Sequence, residues 1–266
     1  MIRSFALAAI VAATAIAVPA VAAGPIDSAI AGAWRSDANK ARDQYRHPAQ
    51  TLKFLGVKPG QTVVEISPAG GWYTEILAPA MRGNGKYVAG LANPLASVNA
   101  AKSVEAFKTK YADKAIYGDI GIGTFGKGVA DIVEPGSADV VLTFRNVHNW
   151  HMNSWDQDAF NAFFKALKPG GTLGVVEHRL PEARADADMK TSGYMKVSYV
   201  KMLAEKAGFK LAASSEVNAN AKDKANYPKG VWTLPPNYAE GEADKAKYAA
   251  IGESDRMTLK FVKPKT

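Results

Sequence analysis

Short runs of apolar, β-branched residues alternate along the chain with stretches whose apolar positions recur at helical spacing. The first such run is residues 62–67 (TVVEIS), followed by the small-residue loop 68–71 (PAGG) and a helical stretch over 72–81. The turn 83–86 (GNGK) leads to a second strand-like run at 87–92. Residues 96–112 then carry Val98, Ala101, Val104 and Phe107 near helical spacing. The run 138–144 (ADVVLTF) has the purest strand pattern. Residues 156–167 predict an amphipathic helix closed by KPGG at 168–171, and 172–178 predict the next strand. A further helix is expected over 198–208, with 209–217 and 257–264 as a closing pair of strands. Ahead of all these, 26–55 has a helical pattern with Ile30, Trp34, Leu52 and Leu55 as apolar positions and a stop at Gly56. The central strands do not alternate strictly between polar and apolar. That marks strands buried on both faces, and predicts an α/β fold with a mostly parallel sheet covered by helices. About forty polar residues, 218–256, interrupt the closing pair and predict a long surface insertion lying over a site. One domain accounts for everything after residue 24.

The first 23 residues differ from the rest. Arg3 is their one charge, an apolar run extends from Phe5 to Val18, and Pro19 precedes Ala20-Val21-Ala22. A charged start, an apolar stretch and a small-residue exit describe a secretory signal peptide. The expected mature chain begins at Ala23 or Gly24, lies in the periplasm or outside the cell, and keeps no stable membrane insertion once the signal is cleaved. Composition then narrows the chemistry. The 266 residues include no cysteine, which removes disulfides, thiolate metal sites and thiol nucleophiles together. The net charge of +8 is spread along the chain without a basic stripe, so nucleic acid is not an expected partner.

Residues 63–77 (VVEISPAGGWYTEIL) combine a strand, a tight turn of small residues and a helix. A nucleotide-like ligand needs that arrangement: small residues let the backbone approach, and the helix start offers free N–H groups. A plain strand-to-helix connection has the same pattern. Beyond the fourth strand-like run, residues 144–155 (FRNVHNWHMNSW) place Arg145, Asn146, His148, Asn149 and His151 within seven positions. Histidine is the side chain whose ordinary pKa lies near neutrality, and His148 is the expected base in this segment, with a purely orienting role as the alternative. No G-x-S-x-G elbow accompanies the histidines, so a serine-hydrolase arrangement is not expected. Three of the four histidines, His148, His151 and His178, are placed by the pattern at the ends of adjacent strands, with Glu177 beside them. A metal-dependent enzyme is one alternative reading, although H-x-x-H in a loop matches no metal signature and no metal is assigned.

In order, VVEISPAGGWYTEIL, EPGSADVVLTFRNVHNW (134–150) and FFKALKPGGTLGVVEHR (163–179) resemble the class I S-adenosylmethionine-dependent methyltransferases over about residues 45–215. With the export signal and the late IGESDRMTLKFVKP, the chain is similar to a secreted bacterial group described as predicted methyltransferases. The resemblance implies a Rossmann-like sheet of seven strands, the last antiparallel, with S-adenosylmethionine over the carboxyl ends of the first strands and a small-molecule or envelope-associated acceptor. It places the glycine-rich motif on Glu65, Ser67, Ala69 and Gly71, only the last of which is a glycine. It assigns Asp119 to the adenine, and Asn146 and His148 to the acceptor side. The acid that usually holds the ribose falls near Leu91, where only Asn93 offers a polar group. Those departures also fit a non-catalytic protein that holds another small ligand on the same fold. The sequence gives no acceptor and no oligomeric state.

Overall fold

The computed structural model describes residues 23–265. The signal-peptide reading of residues 1–23 therefore falls almost wholly outside the described residues. The observed strands are β1 (Thr62–Ile66), β2 (Lys86–Leu91), β3 (Ile120–Gly126), β4 (Val129–Asp131), β5 (Ala138–Phe144), β6 (Leu167–Leu180), β7 (Met195–Lys196), β8 (Lys210–Ser215) and β9 (Arg256–Val262). They form one sheet in the order β4-β3-β2-β1-β5-β6-β9-β8, with β7 attached to β6. Strand β1 runs parallel to both β2 and β5, and β9 runs antiparallel between β6 and β8. The sheet has nine strands where seven were expected. The two additions are the three-residue β4, which folds back antiparallel on β3, and the two-residue β7.

The pattern located most elements within a few residues and missed β3. Its sequence, IGIGTFG, has three glycines and is buried only at alternate positions near its end, so it lacks the apolar run that marks the other central strands. Two other boundaries moved for local reasons. The helical pattern of 26–55 is four short helices, Pro25–Ile30, Asp37–Lys40, Asp43–Arg46 and Pro48–Leu55. The last two are separated by His47 at φ 40°, a left-handed turn that a continuing helix cannot contain. KPGG, expected as a turn, is absorbed into β6, whose register against β5 shifts between Ala138 and Val140 to accommodate it.

Two apolar clusters, one on each face of the sheet, make the core. Phe160, Phe163, Leu203 and Phe261 belong to one face; Leu52, Leu55, Ile76 and Leu77 belong to the other. Strands are added outward to one side from β1 and to the other side from β5, so the gap between their carboxyl ends is the switch point at which open α/β sheets bind ligands. None of the helices formed by the described residues is long and apolar enough to cross a membrane.

Candidate active site

The loop leaving β1 keeps the backbone of a glycine motif without its glycines. Ser67 and Ala69 both have φ 49°, and Gly71 has φ 77°. The left-handed region costs a non-glycine residue about 1–2 kcal/mol, so this chain retains the turn against local preference. At Gly71 a side chain would displace Tyr111, because a Cβ would lie 1.7 Å from its hydroxyl. That hydroxyl donates to the Gly71 carbonyl at 3.2 Å, which ties the loop to the helix Val98–Lys110 and its end.

Two cavities open at the carboxyl edge and share Ala69 and Asn146 in their walls. The first, about 230 Å³, is bounded by Ser67, Pro68, Leu91, Val104 and Phe107 as well. The second, about 210 Å³, lies between Arg145, His148 and His178 on one side and Trp232, Pro236 and Arg256 on the other. Its outer wall comes from residues 231–237 and 253–256, within the 218–256 stretch. Asn146 holds the two cavities in register: its amide nitrogen donates to the Ile66 carbonyl at 3.0 Å and to Thr143 Oγ1 at 3.3 Å.

His148 is 4% exposed, on the short helix Val147–Met152. Parallel pairing of β5 with β6 brings Phe144 beside Val176, and this places Glu177 under the start of that helix. The Glu177 carboxylate accepts from the Val147 amide at 2.6 Å and the His178 amide at 2.8 Å, and pairs with His148 Nδ1 at 3.0 Å. With Nδ1–H donating to the carboxylate, Nε2 retains the lone pair. A histidine so oriented can accept a proton from a bound molecule. Sequence reasoning named Glu177 only beside a metal; its part in orienting His148 follows from strand register.

The other expected residues separate into those at this edge and those away from it. Glu65 is buried in β1 and accepts from Tyr87 Oη at 2.6 Å and Thr74 Oγ1 at 2.9 Å. Burial raises its carboxyl to about 7, against the lowering effect of those two hydroxyls and of Arg145. A raised carboxyl pKa favours the folded state below about 4.5, and the advantage is lost as pH rises to about 7. Glu65→Gln is therefore expected to stabilise the protein at pH 8 by about 1–3 kcal/mol and to flatten stability between pH 4.5 and 7. Urea unfolding across that range measures it; an unchanged slope would contradict the assignment.

Asp119, expected at the adenine, lies elsewhere. It precedes β3 at the amino end of the sheet, is exposed, and pairs with Lys114 at 2.6 Å, so it lies on the edge opposite both cavities. Asn93 lies just beyond β2, where its side-chain oxygen accepts from the Leu95 amide at 2.9 Å, a local turn that occupies the acceptor. Leu91, not Asn93, lines the first cavity. His151 is also apart from the other histidines, bonded to Asp156 at 2.7 Å with Tyr199 on the same carboxylate at 2.9 Å. Tyr194 is fully buried and donates to Asp223 at 3.0 Å.

The group within metal-binding reach among the described residues is His148, Glu177 and His178. Both Glu177 oxygens serve amides and His148, and His178 Nδ1 meets Ser254 Oγ at 2.5 Å, so the three side chains are held by one another and by the backbone. Burial, then His148 and the arginines Arg145, Arg256 and Arg46, holds His178 well below its ordinary pKa.

Sequence reasoning also missed an arginine cluster. Glu253 is 4% exposed and accepts from Arg42 Nε at 2.5 Å, Arg46 Nε at 3.1 Å and the Arg256 guanidinium. Trp72 fixes the chain segment that delivers Arg46: the guanidinium lies 4.7 Å from its ring centre, and its indole N–H donates to the Asn39 carbonyl at 2.9 Å. The signal was the dense ESDR run at 253–256, which lay inside a stretch read as surface insertion.

No protein-family model matches the chain, and no curated protein matches it. Solved structures do. A SAM-dependent methyltransferase from Aquifex aeolicus is 14% identical, with a TM-score of 0.54 over 84% of this chain and 93% of that one. The [4+2]-cyclase SpnF is 15% identical, with a TM-score of 0.56 over 88% and 84%. The trans-methyltransferase CalH, solved with SAH, is 15% identical, with a TM-score of 0.50 over 85% and 58%. The fold is that of the class I methyltransferases, Rossmann-like and mostly parallel, with two strands beyond the expected seven.

Proposed function

We propose that the protein is an exported S-adenosylmethionine-dependent methyltransferase acting on a small acceptor. The observation that carries this reading is the pair of cavities meeting at Ala69 and Asn146, one beneath the β1 loop and one beneath His148. The first cavity fits the donor in most respects. Alternate left-handed residues Ser67, Ala69 and Gly71 open the loop, and Val104 and Phe107 offer an apolar wall for an aromatic base. S-adenosylmethionine, when bound, supplies an electrophilic methyl group. The chain's own residues then have three tasks. The β1 loop and Asn146 fix one ligand against the other, which is the orientation that a displacement at carbon requires. The insertion residues Trp232 and Pro236 shield the acceptor from water. His148 Nε2 takes the acceptor's proton, with Glu177 stabilising the imidazolium that results.

Calorimetric titration of the mature protein with adenosylmethionine and adenosylhomocysteine tests the reading. Saturable binding of both is expected, and no binding at millimolar ligand would remove it. The ribose is where affinity should be weakest, because Leu91 faces the cavity and no carboxylate replaces it. Leu91→Asp is expected to tighten adenosylhomocysteine about tenfold, since a charged hydrogen bond contributes roughly 1.5–3 kcal/mol. A folded variant with unchanged affinity would place the ribose elsewhere. Export belongs to the same proposal and rests on the pattern of residues 1–23. N-terminal sequencing should find Ala23 or Gly24 on protein from the periplasmic or extracellular fraction, and Met1 on that protein would refute it.

A further inference from the structure

The wall of the second cavity holds Arg145 and Arg256 against the single carboxylate of Glu253, and Arg42 and Arg46 stand behind that carboxylate. Three guanidinium groups, from Arg42, Arg46 and Arg256, converge on the single carboxylate of Glu253. Arg145 stands on the facing wall, half-buried, with no carboxylate paired to it among the described residues. The neighbouring acids are committed elsewhere: Asp43 to Arg35 at 2.7 Å, Glu177 to His148 and backbone amides, and Glu65 to Tyr87 and Thr74. Arg46 is 1% exposed, and both its terminal nitrogens lack a hydrogen-bond partner among the described residues; so does one terminal nitrogen of Arg42. Buried donors left unpaired are costly, and so is an uncompensated buried charge. Arg145 also sits at φ 62°, so the chain accepts backbone strain to keep that side chain at the cavity. Burial, and next Arg256, lower the Arg145 guanidinium to about 10.

We infer that Arg145, with the positive charge of the Glu253-paired Arg256 beside it, binds an anionic group, a carboxylate or phosphate, carried by the molecule that occupies the cavity beside His148. A guanidinium fork matches either group bidentately. The assignment of that molecule as the methyl acceptor rests on the methyltransferase reading. The donor cannot balance the cluster: its sulfonium, ammonium and carboxylate sum to one positive charge, so binding it adds to the excess. An acceptor with its anionic end on Arg145 would present its remaining groups to His148, which lines the same cavity.

The probes are inorganic phosphate and malonate, titrated calorimetrically into the mature protein at fixed ionic strength in chloride. Saturable binding of at least one is expected. Arg145→Gln should weaken it about tenfold to a hundredfold, the loss of a charged hydrogen-bonding partner. Arg145→Lys, which keeps the charge without the fork, should fall between. The same Arg145→Gln variant should melt no lower than wild type in the absence of anion, because it removes like charge; a merely structural arginine would give the opposite result. Absence of saturable binding, or binding that Arg145→Gln leaves unchanged, overturns the inference.

Two further arms identify the source of the anion. Anion binding should persist with adenosylhomocysteine bound. If the anion competes with adenosylhomocysteine and not with 5′-methylthioadenosine, which lacks the amino-acid portion, the arginines hold the donor's carboxylate and the acceptor assignment falls. If the anion binds and adenosylhomocysteine does not, the anion site stands and methyl transfer is the reading that fails.

Discussion

His148→Gln is expected to lower the rate of methyl transfer by about 10²–10⁴-fold while leaving adenosylhomocysteine affinity within a factor of two or so of wild type. The imidazole lies in the wall of the second cavity and not in that of the first, so the two readouts should separate. Glutamine retains a side chain that can donate to Glu177 but offers no basic nitrogen, so the loss reports proton removal more than repacking. Glu177→Gln should reduce the rate less, by disturbing the orientation of a histidine that is still present. It should also lower stability, because its carboxylate caps the Val147 amide at 2.6 Å. Release of adenosylhomocysteine measures the rate, and calorimetry the affinity. An unchanged rate in His148→Gln would show that the acceptor loses its proton without a base from this loop.

Glu253→Gln should have the largest effect on stability of any single change in the site, about 3–5 kcal/mol of destabilisation. The carboxylate is the common partner of three guanidinium groups, and neutralising it leaves their charges facing one another in a buried place. Burial alone would raise the Glu253 carboxyl, but Arg256, Arg46 and Arg42 overcome it and hold the group down at about 2. A depressed acid stabilises the folded state above its ordinary pKa and loses that contribution as pH falls. Here the loss should run from about 4.5 to about 2, and it corresponds to about 3 kcal/mol. Thermal unfolding of wild type and variant from pH 2 to 7 checks both points. The curves should converge toward the acid end, and a gap under about 1 kcal/mol at pH 7 would show that the arginines are satisfied by other groups.

The sequence is readable where chemistry and periodicity coincide locally. Residues 62–81 announce a strand, a tight turn and a helix, because small residues at Ser67, Ala69 and Gly71 are adjacent in the chain as well as in space. His148 stood out for the same reason, inside a run of polar groups following a strand. Asp119 went wrong because β3 was not visible: without that strand, the aspartate had no sheet edge to belong to, and only the register Tyr87 to Ile120 shows which end it occupies. The arginine cluster was illegible for a different reason. Its members come from the segment before β1, the end of β5 and the start of β9, and no window on the sequence contains two of those regions.

The position of β9 has a consequence for how the molecule is assembled. Arg42 and Glu253 meet across 211 residues, and the strand that begins at Arg256 must slot between β6 and β8. Contacts so distant along the chain form slowly, since the intervening loop must be closed before they give any return. A chain truncated before Glu253 could complete the pairing of β1, β2, β3, β5 and β6 and still lack the outer wall of the second cavity. The first cavity is thus built from residues between Ser67 and Asn146, whereas the second is finished by the start of the last strand. Anion binding is accordingly a reporter of completed folding: during refolding it should emerge after the parallel sheet, and together with burial of β9.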